Sequence, residues 1–82
     1  MPISQNIVGP EVRRIRCKHG WTQEQLAARC TIRGFDLSRG TLSKIEAQLR
    51  CVTDEELLML SEALEVRLVE LFPSRTKSGK KS

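Results

Sequence analysis

No stretch of the 82-residue chain approaches the ~20 consecutive apolar residues of a membrane-spanning helix, and its start, "MPISQNIVGP", has neither a basic leader nor an apolar run of the secretory kind. A cytoplasmic location is expected. There is one histidine, His19, and no CxxC pair. Cys17, Cys30 and Cys51 stand far apart, so no ligand set is offered and neither a metal nor any other cofactor is expected. The cysteines read as reduced thiols serving as small hydrophobes in or near the core. With no paired carboxylates and no activated nucleophile in a plausible cleft, the chain is not expected to be an enzyme. No strand-type alternation appears, which points to the all-α class. At this length one domain is the ceiling, and 39% hydrophobic with 29% charged residues is ordinary globular material.

What is present is charge, unevenly spread. Residues 1–52 carry nine basic and four acidic side chains, residues 53–72 carry six acidic and one basic, and residues 73–82 carry four basic and none acidic, for a net charge of +4. Segregation of this kind suggests one face built for a polyanion and another turned away from it.

Four segments read as helices and a fifth follows them. Gly9-Pro10 begins the first, proline being tolerated at an opening position, and Gly20 stops it. Val12, Ile15, Arg16 and His19 share one stripe of that helix, which places an arginine on a buried face and demands a partner for it. Trp21-Thr22…Gln25-Leu26 and Val52-Thr53…Glu56-Leu57 each join a capping-box threonine to a hydrophobic staple, and Leu37-Ser38…Leu42 repeats the staple around a serine cap. The second helix turns Leu26, Ala27 and Cys30 inward and stops at Gly34, with Phe35 folding back toward Cys30. The third buries Leu42 and Ile45. At about 100° per residue the opposite side falls on Gly40 and Ala47, flanked by Ser43 and Lys44, with Arg39 in the exposed first turn. Small residues beside polar donors make a surface that another rigid body can approach closely. Residues 53–64 should bury Leu57, Leu60, Ser61 and Leu64, and "VRLVELF" adds Val66, Val69, Leu71 and Phe72 before Pro73 ends the order. The expected organisation is an N-terminal extension over residues 1–8, one domain over residues 9–72 and a flexible basic tail over residues 73–82.

The runs "VRRIR…GWTQEQLA", "LSRGTLSKIE" and "VTDEELLMLSEALEVRLVELF" together resemble the phage-repressor and Cro type of helix-turn-helix, the XRE family, over residues 9–72. TQxxLA followed by SxxTLSxIE is specific in combination where either piece alone is not. The resemblance implies a compact five-helix bundle that places its third helix in the DNA major groove and rests the second across the phosphate backbone. By position it assigns base reading to Arg39, Gly40, Ser43 and Lys44, and phosphate contact to Thr22, Gln23, Ser38, Gln48 and Arg50. It also implies an ion pair between Arg16 and Glu46 that ties the first helix to the third. Arginine can present two donors to guanine O6 and N7 and lysine can reach the same edge, whereas Gly40 admits a thymine methyl or a close backbone contact.

The turn between the second and third helices departs from the family pattern. "TIRGFDLS", residues 31–38, is several residues longer than the usual turn, which should alter the angle of the reading helix. On the resemblance the chain is a sequence-specific transcriptional regulator of repressor type, bound to double-stranded DNA. Such proteins commonly bind as two-fold homodimers, and the apolar last helix is the candidate pairing surface. The alternative is an antitoxin or accessory protein-interaction module that holds another protein and binds DNA secondarily or not at all.

Overall fold

The helices begin where side chains can satisfy the free amides of a first turn. The computed structural model describes residues 5–73. α1 (Gly9–His19) has Pro10 in its first turn, where a missing amide is no loss, and the Gly9 amide donates to Asn6 Oδ1 at 2.7 Å. α2 (Gln23–Ile32) opens on a capping box in which Thr22 Oγ1 accepts from the Gln25 amide and Gln25 Oε1 accepts from the Thr22 amide. α3 (Arg39–Glu46) opens on Ser38 Oγ, which accepts from the Thr41 amide, and α4 (Asp54–Leu64) on a second box between Thr53 and Glu56. After α2, Gly34 at φ 91° lets the Phe35 amide return to the Cys30 carbonyl at 2.9 Å, and the same turn seats Phe35 against the core.

The inward stripes of the helices meet in one core. Val12 and Ile15 of α1, Leu26 and Cys30 of α2, Leu42 and Ile45 of α3 and Leu60 and Leu64 of α4 are buried together with Val8, Leu37 and Leu71. Each fully buried leucine contributes about 1.5–3 kcal/mol over its exposed state, so this cluster is what holds α3 on its two neighbours, α1 and α2. Burial pushes the Cys30 thiol up to about 11, which keeps it protonated and inert. Among the described residues, no helix is long and apolar enough to cross a membrane.

Several sequence expectations need correction. Among the described residues the bundle has four α-helices, and in place of a fifth the chain makes one 3-10 turn, Leu68–Leu71. Glu65 takes the left-handed region at φ 61° and Phe72, which precedes Pro73, is extended, so too few residues lie between them for a regular helix. A single turn buries one side chain, Leu71, while Val69 and Phe72 are exposed and Val66 is half-buried. Leu57 is likewise only half-buried. α2 continues through Thr31 and Ile32, so the connection to α3 is shortened to residues 33–38. Cys17 and Cys51 are exposed and only Cys30 lies in the core. His19 is exposed as a residue, yet its Nε2 lies 2.8 Å from the Leu64 carbonyl; a carbonyl only accepts, so Nε2 carries the proton.

Residues 5–8 are bonded into the domain, with Val8 in the core and the Gln5 amide donating to the Gln48 carbonyl at 3.0 Å. Residues 1–4 and, beyond Pro73, the basic tail lie outside the described residues.

Candidate nucleic-acid interface

Because α3 spends Leu42 and Ile45 on the core, the rest of its short circumference must face outward. Arg39, Gly40, Lys44 and Ala47 are exposed and Ser43 is half-buried at the edge of the same face. Among the described residues neither Arg39 nor Lys44 takes part in an ion pair, which leaves both cations available. A Cβ added at Gly40 would meet nothing closer than Ser38 Oγ at 4.0 Å, so the backbone there lies open to close approach. Ser38 itself is engaged: its hydroxyl accepts from the Thr41 amide and donates to Thr41 Oγ1 at 3.0 Å.

The base of this face is a polar lattice. Arg16 Nε donates to Glu46 Oε2 at 2.7 Å and its Nη2 to Oε1 at 3.0 Å, while Nη1 reaches the Trp21 carbonyl at 2.8 Å. Gln23 Nε2 donates to the same Glu46 Oε1 at 3.0 Å. One carboxylate at the end of α3 therefore gathers donors from α1 and α2. With the pair side chains only 11% and 4% exposed, its geometry is well shielded from water.

The residues assigned to phosphate contact divide. Gln23 is half-buried and lines a shallow depression with Arg13, Arg16, Ser43, Glu46 and Ala47, beside the outward face of α3. Thr22 is exposed at the start of α2, where backbone amides and the helix dipole favour an anion, although its side chain is occupied by the cap. Gln48, at φ 64°, donates from Nε2 to the Asn6 carbonyl at 2.9 Å. Arg50 forms a two-pronged pair with Glu56, 2.9 Å at each prong, and a third bond to the Cys51 carbonyl. Its hydrogen bonds hold the Glu56 carboxyl below the ordinary carboxylate value. The guanidinium of Arg50 is thus directed into the protein, toward the start of α4.

Arg13 was not singled out from the sequence. It is exposed on α1, one turn before Arg16, and stands with Ser43 and Ala47 around the depression. The available signal was its spacing from Arg16, whose partner ends α3. Among the described residues no group of three metal-ligating side chains occurs.

A helical domain that lays a capped, outwardly basic helix across a second capped helix has the architecture of a helix-turn-helix regulator. The chain belongs to the helix-turn-helix family HTH_3, which matches residues 12–71 and is a family of DNA-binding transcription regulators. Among solved structures, the restriction-modification controller protein C.AhdI from Aeromonas hydrophila is 31% identical with a TM-score of 0.70, over 79% of this chain and 87% of that one. The hypothetical transcription factor NHTF from Neisseria shares the fold at 24% identity and a TM-score of 0.74, over 100% of this chain and 92% of that one. The clp gene regulator ClgR from C. glutamicum does so at 23% identity and a TM-score of 0.74, over 100% and 97%. No functionally curated protein matches the chain at a significant level.

Proposed function

We propose that this regulator recognises a specific double-stranded DNA sequence by inserting α3 into the major groove, and acts as a repressor by occupying promoter DNA in the cytoplasm. Arg39, Gly40, Ser43 and Lys44 meet base edges in this reading, Arg39 and Lys44 by donating to guanine. Thr22, Gln23 and Ser38 lie along the phosphates, and Arg13 joins them from α1. The observation that carries the proposal is the outward face of α3, where two cations without ion-pair partners among the described residues flank an open glycine backbone. Gln48 and Arg50 act in this reading by shaping the loop behind α3, since both already have partners within the protein.

A two-fold pair on half-sites about 34 Å apart is the arrangement in which a domain of this size gains enough contacts for specificity. Exposed Ile7 and Phe72 with half-buried Val52 and Leu57 line the apolar half of a mixed groove that offers a surface for such pairing. Selection of bound sequences from random duplex DNA, read at two salt concentrations, tests the proposal. One preferred site that survives the higher salt supports it, and no duplex bound above background overturns it.

A further inference from the structure

We propose that Asn6 is a positioning residue for DNA recognition, through which the segment before α1 sets the pose of the reading helix and of the loop behind it. The inference rests on the DNA-binding reading above. Asn6 Nδ2 donates to the Ile45 carbonyl at 3.2 Å, in the last turn of α3, and to the Arg50 carbonyl at 2.7 Å, where the following loop ends. Its Oδ1 accepts from the Gly9 amide at 2.7 Å, and its own carbonyl accepts from Gln48 Nε2 at 2.9 Å. One amide side chain therefore joins the start of α1 to both ends of the loop after α3.

Two independent features show how tightly these parts are coupled. Gln48 holds a left-handed backbone at φ 64°, unfavourable for a residue with a Cβ, and its amide, carbonyl and side chain are bonded to Ile45, Gln5 and Asn6 respectively. A Cβ added at Gly9 would collide with the Ile45 carbonyl and crowd that of Glu46, so the first residue of α1 lies directly against the last turn of α3. α3 is only eight residues long, and Lys44 and Ser43 stand one and two positions before the carbonyl that Asn6 holds. A shift at that carbonyl moves the base-reading side chains with it.

Asn6→Asp separates positioning from simple capping. The aspartate keeps an acceptor for the Gly9 amide but loses both donors and sets a carboxylate against two carbonyls. Asn6→Ala removes both roles, and Val8→Ala weakens the same segment by a core cavity without touching the loop bonds. Affinities for the selected site and for random duplex are measured well below each melting temperature, with amide exchange of residues 47–50 followed without DNA.

Asn6→Asp and Asn6→Ala should lose about tenfold in specific-site affinity, equivalent to one base contact, with random-duplex binding unchanged and exchange at residues 47–50 accelerated. Val8→Ala should melt earlier yet keep the wild-type ratio of specific to random binding. An Asn6→Asp protein with wild-type ratio and wild-type exchange overturns the inference, because Asn6 then only caps α1. A wild type that prefers no sequence overturns the DNA-binding reading itself, and the inference with it.

Discussion

At the scale of single residues, two arginine–glutamate pairs with similar distances should behave differently. Glu46 is nearly buried beneath Arg16 and Gln23, so Glu46→Ala leaves an uncompensated guanidinium in a shielded site and should cost about 3–5 kcal/mol. Glu11→Ala, which breaks an exposed i,i+3 pair with Arg14, should cost no more than about 0.5 kcal/mol. Chemical denaturation of the two variants checks the contrast, and equal midpoints would contradict it. The Arg50–Glu56 pair sits nearer the surface, and with screening its contribution is about 1 kcal/mol. Arg50 holds the Glu56 carboxyl below its ordinary 4.5, so on acidification the unfolded chain takes up this proton first. The stabilisation is complete above pH 4.5 and is lost as pH falls through the lower folded value. Thermal melts of wild type and Glu56→Gln from about pH 6 to about pH 3 should therefore converge toward the acid end.

At the scale of elements, α3 carries the functional expectation and α1 the tightest packing constraint. Arg39→Ala and Lys44→Ala should each cost about 1–3 kcal/mol on the preferred site and relax the choice at one base pair, read by titration against single-base variants. Unchanged base preference in both would mean that another surface reads the sequence. Gly9→Ala should destabilise by about 1–3 kcal/mol, since its methyl group meets backbone oxygens that cannot rotate away. The helix starts were legible because each box is closed by partners three residues apart, as between Thr22 and Gln25 or Thr53 and Glu56. The outward stripe of α3 was legible from the helical repeat alone. Asn6 was not, because its bonds to Ile45 and Arg50 span 39 and 44 positions and leave no periodic trace. The partner of Arg50 was not legible either, because Glu56 lies six positions on and its carboxylate serves both the Thr53 cap and the guanidinium.

For the whole molecule, the uneven charge noted in the sequence becomes a statement about salt. The outward face of α3 gathers Arg39 and Lys44 with Arg13 beside it, while α4 and the 3-10 turn hold Asp54, Glu55, Glu62 and Glu70. Association with DNA should weaken steeply as salt rises, because each phosphate neutralised releases counterions. Arg13→Ala should make the slope of log affinity against log salt shallower by about one unit, as expected for loss of one phosphate contact. Arg50→Ala should leave that slope near wild type and lower the melting temperature instead. The reverse pattern would show that Arg50 leaves Glu56 when DNA arrives.

Trp21 is the chain's single tryptophan. Its ring stacks on His19 with centroids 4.1 Å apart and planes 12° from parallel, and the Arg29 guanidinium lies 4.1 Å from its centroid. Its carbonyl accepts from Arg16, the partner of Glu46 at the end of α3. The molecule thereby contains one indole chromophore linked to the end of α3 through the Arg16 side chain. Its emission spectrum needs no attached dye to register both loss of the stack on unfolding and any displacement of α3.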